Sequence, residues 1–79
     1  MKVINIVENK KRYRVLVKAN TERILFETGE LSARDVIYKL EREYSLMLMP
    51  QTLHQILRSH PRIERVKTQT GTNYRLIET

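Results

Sequence analysis

The clearest structural signals lie in residues 32–61, which read SARDVIYKLEREYSLMLMPQTLHQILRSHP. Ser32 and Asp35 have the spacing of a capping box, which predicts a helix that starts at Ala33. The apolar residues that follow fall within an arc of about 100°, as in a helix with one face towards a core. They are Ala33, Val36, Ile37, Leu40 and Tyr44. This helix is expected to end near Tyr44.

A second helix is predicted from Pro50 to about His60. Proline suits the first helical position, and the residue before it avoids helical geometry, so residues 45–49 form a turn. Pro61 stops the helix because it lacks an N–H and its ring clashes with the preceding turn. The apolar residues on its inner side are Leu53, Ile56 and Leu57.

Residues 62–78 predict a β-hairpin. Ile63 and Val66 precede a polar tip from Thr68 to Asn73, which contains Gly71. Tyr74, Leu76 and Ile77 then supply a second run with β-propensity. The tip is expected to be polar and flexible.

Towards the amino terminus, residues 3–7 and 13–17 are rich in β-branched residues and predict a hairpin, or an edge strand and its partner. Asn20 can cap a short helix over residues 21–28, and Gly29 suits the position just after it. The alternation of Ile24, Phe26 and Thr28 also fits a strand, and both alternatives stay open for this segment.

The order of elements resembles the winged-helix variant of helix-turn-helix DNA-binding domains, with residues 29–78 carrying the resemblance. The chain is also similar to small basic regulators of archaea and their viruses. The resemblance implies an α+β fold, a winged helix-turn-helix with an extra N-terminal β-strand or hairpin. A single domain over residues 1–79 would comprise an N-terminal hairpin over 1–19, a three-helix unit over 20–60 and a wing hairpin over 61–79. In this family the third helix enters the major groove and the wing touches the backbone or the minor groove.

Composition supports a small binding domain. The 79 residues include 15 Lys and Arg against 9 Asp and Glu, which gives a net charge of +6. The net charge is +5 over residues 1–19, −2 over residues 20–44 and +3 over residues 45–79. A face that joined the two positive segments would attract a polyanion. The chain has no cysteine, so disulfides and thiolate sites are excluded and a cytoplasmic location is expected. No cleaved signal peptide is expected.

Catalysis is not expected. The two glycines, Gly29 and Gly71, are too far apart for a phosphate-binding loop, and no serine lies in a nucleophile elbow. Glu41 and Glu43 point different ways on a helix and make a poor acid–base pair. We therefore predict no enzyme activity, no cofactor, no metal and no small-molecule substrate.

The outer side of the helix over residues 50–60 has the chemistry for reading bases. Gln51, Gln55 and Arg58 form a row opposite the buried side, flanked by Thr52 and His54, and no carboxylate interrupts it. Gln can pair with adenine and Arg with guanine in the major groove. A solvated helix face of ordinary composition is the alternative.

Three further groups are candidate contacts. Each also has a plainer explanation as a polar turn, a charged edge strand or a half-buried tyrosine. The wing group is Lys67, Gln69, Thr72, Asn73 and Arg75. The N-terminal group, for phosphates or an arm, is Lys10, Lys11, Arg12 and Arg14. The group on the helix over 33–44, for the DNA backbone or a second protomer, is Arg34, Tyr38 and Arg42.

The sequence therefore predicts a transcription regulator that binds double-stranded DNA sequence-specifically, without contact with a membrane. A two-fold symmetric homodimer on a palindromic site is expected, because one small domain reads few base pairs. The alternatives are a winged-helix module that binds another protein, and an RNA or non-specific nucleic-acid binder. Exposed aromatic pairs on a sheet would favour RNA, and Tyr13 and Tyr74 are the candidates.

Overall fold

The computed structural model describes residues 6–77, with side chains from residue 10 onward. It shows a small α+β domain with three helices and a three-stranded antiparallel sheet. The elements are α1 (Ile6–Thr28), β1 (Glu30–Ser32), α2 (Ala33–Tyr44), α3 (Pro50–Leu57), β2 (Ile63–Thr68) and β3 (Gly71–Leu76).

The prediction of an N-terminal β-hairpin is wrong over the described residues. Residues 3–5 lie outside the described part, and everything from Ile6 to Thr28 is one helix. The buried residues Val17, Thr21, Ile24 and Leu25 have i, i+4, i+7, i+8 spacing, so a helix packs them on one side. From Ile6 onward, the segment expected to form the extra N-terminal strand or hairpin is therefore helical.

The end of α1 agrees with the expected helix over residues 21–28, although the helix begins much earlier. Asn20 lies inside α1 and does not cap it. Gly29 adopts a positive φ of 87° and its N–H donates to the Leu25 carbonyl at 2.7 Å. This left-handed residue ends the helix, as its position in the sequence predicts.

Helix α2 has the predicted bounds. The Ser32 hydroxyl accepts a hydrogen bond from the Asp35 N–H at 3.1 Å, so the capping serine is in place. Val36 and Leu40 are fully buried on the inner face. At the other end Ser45 is left-handed, and its N–H donates to the Glu41 carbonyl at 3.1 Å.

Helix α3 begins at Pro50 as predicted but ends at Leu57, three residues before the expected His60. The Arg58 N–H still donates to the His54 carbonyl, and a tighter bond from His60 to the Leu57 carbonyl closes the turn. The residue before a proline disfavours helical geometry, which explains why the helix ends before His60. Three residues fill the core from α3: Leu53, Ile56 and Leu57.

The predicted hairpin is confirmed, with its turn at Gln69 and Thr70. The short strand β1 was not predicted. It pairs with β3 in the order β1-β3-β2 and places Leu31 opposite Tyr74. The core lies between the three helices and the sheet face that carries Tyr74 and Ile63.

Candidate nucleic-acid interface

The outward row of α3 is where the sequence places it. Gln51, Gln55 and Arg58 are exposed, whereas Thr52 and His54 are half-buried. Leu53 on the opposite side is fully buried, and this fixes the rotation of the helix about its axis. An amide and guanidinium row therefore faces solvent along the length of α3.

A first cleft runs between α3 and the β2–β3 hairpin, with a volume of about 480 Å³. Its polar rim includes Gln55, Arg58 and Arg65, and its apolar floor includes Leu57 and Ile63. The two arginines come from different elements, so the fold brings together charges that are separated in the sequence.

A second cleft of about 430 Å³ lies between the start of α2 and the tip of the hairpin. Arg34 contributes the positive charge, and Thr70 and Thr72 contribute hydroxyl groups. His54 borders both clefts, which makes them neighbours on one surface. Among the residues that the structure describes, no carboxylate lines either cleft.

His54 is held at the junction of the clefts by Tyr74. The Tyr74 hydroxyl is hydrogen-bonded to His54 Nδ1, and the ring centroids are 5.6 Å apart. Burial raises the pKa of Tyr74 to about 12, so the hydroxyl stays protonated. Burial, and then the charge of Arg65, lower the pKa of His54.

The two faces of the hairpin differ in charge. Successive residues of a strand alternate between faces, so Arg65 and Lys67 lie on the same face as the buried Ile63, towards α3. Thr72 lies opposite Lys67 on that face. Arg65 is not among the residues predicted from the sequence. It lies two positions after Ile63 in the same strand, and this spacing predicts that both side chains share a face.

Two wing residues that were predicted to contact DNA are hydrogen-bonded to carboxylates of the chain instead. Arg75 donates to Glu64 at 2.8 Å, directly across the strand pair on the face away from α3. The Asn73 amide donates to Glu30 at 2.8 Å, although Asn73 also borders the second cleft. Gln69 lies exposed in the turn.

The basic residues around the clefts differ from Arg62 and Arg75 in their partners. Arg62 and Arg75 each lie 2.8 Å from a carboxylate, on Glu22 and Glu64. The four basic residues on and beside the clefts make no ion pair with any residue of the described part of the chain. These are Arg34, Arg58, Arg65 and Lys67. Arg42 and the basic residues from Lys10 to Lys18 are likewise without an ion pair among the described residues.

The N-terminal basic cluster lies on the first half of α1, with all four side chains exposed. It comprises Lys10, Lys11, Arg12 and Arg14. The Tyr13 hydroxyl donates to the Met47 carbonyl at 2.8 Å and fixes this part of α1 beside the α2–α3 turn. None of the four cations lines a cleft, so the structure brings together the wing and α3 without this cluster.

On α2, the predicted contact group divides in two. Arg34 borders the second cleft. Arg42 donates to the Tyr38 hydroxyl at 2.8 Å, and its guanidinium lies 5.5 Å from the centre of the Tyr38 ring. Tyr38 is 54% exposed, so this pair forms a separate surface feature one to two turns further along the helix.

Comparison of the chain with protein-family models, with curated proteins and with solved structures returned no match in any of the three. Over residues 6–77, no group of three or more metal-ligating side chains could hold a metal ion. None of the described helices is both long and apolar enough to cross a membrane.

Proposed function

We propose that this chain is a winged-helix domain that binds double-stranded DNA sequence-specifically and acts inside the cell as a transcription regulator. The observation that carries the proposal is the surface formed by α3 and the two clefts beside it, where no carboxylate of the described residues lines a cleft. Its outward amides and guanidinium lie next to clefts whose arginines have no acidic partner among the described residues.

The topology supports the proposal. The elements follow the order helix, strand, helix, helix, strand, strand, and the sheet order is β1-β3-β2, which is compatible with a winged helix. The eight residues of α3 span about 12 Å, similar to the width of the major groove. The hairpin extends beside α3 and would reach the neighbouring backbone.

In the proposed complex, the side chains that read the bases directly are those of Gln51, Gln55 and Arg58. A glutamine amide pairs with adenine N6 and N7, and a guanidinium pairs with guanine O6 and N7. Each bidentate pair contributes about 1–3 kcal/mol of discrimination against the wrong base. Arg34, Arg65 and Lys67 would neutralise phosphates on either side, which positions the domain without reading sequence.

The test begins with selection of bound duplexes from a random oligonucleotide pool, which is expected to enrich a defined site. On that site and on a random duplex, Gln55→Ala and Arg58→Ala are compared by fluorescence anisotropy. We expect each to reduce the preference for the selected site by about 5- to 150-fold, the equivalent of 1–3 kcal/mol.

Arg75→Ala is the matched control for Arg58→Ala, because both remove one exposed guanidinium from the domain. Arg75 is bound to Glu64 on the other sheet face, so its removal should leave the preference unchanged. Failure to enrich any site, or an equal loss of preference in Arg58→Ala and Arg75→Ala, would overturn the assignment of α3 as the reading helix.

RNA binding would be favoured by a pair of exposed aromatic residues on the sheet. Tyr74 is buried and Tyr13 lies on α1, so the sheet presents no exposed aromatic pair among the described residues. A module that binds only protein would enrich no oligonucleotide, so the selection distinguishes it as well.

A further inference from the structure

Helix α1 carries a second apolar stripe opposite the one that packs in the core. Val15 is 63% exposed, Leu16 is 43% exposed and Phe26 is 80% exposed, and Ala19 is exposed between them. At about 100° per residue these four lie within an arc of roughly 100° centred near Ala19, and Arg12 and Arg23 are exposed in the same arc. An apolar stripe of this kind on a surface helix is typical of a protein contact.

The charges along this stripe favour pairing with an antiparallel copy of the same helix. The first half of α1 carries the basic cluster, and Glu27 lies near the other end. A parallel copy would place Arg12 beside Arg12 and Arg23 beside Arg23. An antiparallel copy centred on Ala19 places Lys11 opposite Glu27 and Arg12 opposite Phe26.

These pairings are physically favourable. Lys11 and Glu27 have opposite charges, and Glu27 stays exposed although it also lies 4.0 Å from Arg23 of its own chain. A guanidinium over an exposed phenylalanine ring gains a cation–π contact. Ala19 is the smallest residue on the stripe, so two helix backbones can approach most closely there. Glu22, at the edge of the stripe, is already bound to Arg62 and His60 within the chain.

We propose that α1 pairs antiparallel with α1 of a second copy of this chain, with the two-fold axis near Ala19, and that the protein is thereby a homodimer. The pairing uses the face of α1 away from the core and requires no DNA. It therefore stands or fails separately from the proposed function of α3.

The arrangement is tested by single cysteines, because the chain has none of its own. Ala19→Cys lies on the axis and should cross-link to its copy under mild oxidation. Val15→Cys is the matched control, since in the antiparallel pair it is offset from its own copy by about 12 Å along the helix, beyond the roughly 7 Å limit between disulfide-linked Cα atoms.

Val15→Cys should instead cross-link to Arg23→Cys when the two variants are mixed. Cross-linking of Val15→Cys to itself as readily as Ala19→Cys would show a parallel pair and overturn the proposal. Absence of cross-linking from Ala19→Cys would also overturn it.

The oligomeric state is measured by sedimentation equilibrium without DNA. The unaltered chain should be a dimer, and Phe26→Glu should weaken dimerisation by at least tenfold with an unchanged helical circular dichroism spectrum. Met47→Glu is the control, because Met47 is 73% exposed in the α2–α3 turn, outside the stripe. A monomeric unaltered chain at 100 µM or more, or equal effects of the two substitutions, would contradict the proposed interface.

Discussion

At the scale of single residues, the least favourable feature of the core is the buried hydroxyl of a threonine. Thr21 is fully buried in α1, and its hydroxyl has no hydrogen-bond partner among the described residues. A buried polar group without a partner keeps its desolvation cost, because the bonds that it made with water are not replaced. Valine has nearly the same shape and carries no hydroxyl.

We therefore expect Thr21→Val to raise the free energy of unfolding by about 1 kcal/mol, measured by urea titration at one fixed protein concentration. Thr28→Val is the matched control in the same helix. The Thr28 hydroxyl donates to the Ile24 carbonyl at 2.8 Å, so its loss should bring no gain. A Thr21→Val protein less stable than the unaltered chain would show that the Thr21 hydroxyl makes a hydrogen bond in the folded state.

At the scale of elements, α2 depends on its cap. The Ser32 hydroxyl accepts from the Asp35 N–H at 3.1 Å, and this N–H has no partner within the first turn of the helix. Ser32→Ala should lower the stability of the domain by about 1 kcal/mol, which corresponds to a fall of about 4–8 °C in Tm for a domain of this size. Differential scanning calorimetry measures the change.

Ser59→Ala serves as the comparison for the cap. Ser59 donates its hydroxyl to the Ile56 carbonyl at 3.2 Å after the end of α3 and caps no helix start. Its removal should change Tm by only a degree or two. Equal changes in the two variants would mean that the capping bond contributes nothing specific.

The elements also show which structure the sequence can predict. Helix α2 was predictable because a cap and a single apolar stripe define it locally. Helix α1 was not, because apolar residues lie on two opposite sides of it and produce the short β-branched runs typical of strands. Its helical spacing is evident only once Val17, Thr21 and Leu25 are known to share the core.

The candidate site divides in the same way. The outward row of α3 follows from Leu53 and its helical neighbours alone. The wing contacts could be predicted only from the pairing register of the two strands. The predicted tip over residues 68–73 was too wide to define that register. With the turn at Gln69 and Thr70, Glu64 falls opposite Arg75, and Arg65 turns towards α3.

At the scale of the whole molecule, the position of the charges matters more than their number. The acids Glu22 and Glu64 each bind an arginine away from the clefts, and Glu30 binds Asn73. The excess positive charge is thereby left around α3 and along the first half of α1. Removing a cation should affect DNA binding according to the face on which it lies.

The salt dependence of DNA binding measures this directly. Each phosphate neutralised contributes about 0.9 to the slope of log affinity against log salt concentration. Arg65→Ala and Lys67→Ala should each reduce the slope by about 1 and weaken binding to selected and random duplexes alike. Arg75→Ala removes the same charge from the same hairpin but frees Glu64 on the other face, so the slope should stay as in the unaltered chain. If all three variants lower the slope equally, DNA responds only to the net charge, and the sheet face towards α3 is not the one that meets the phosphates.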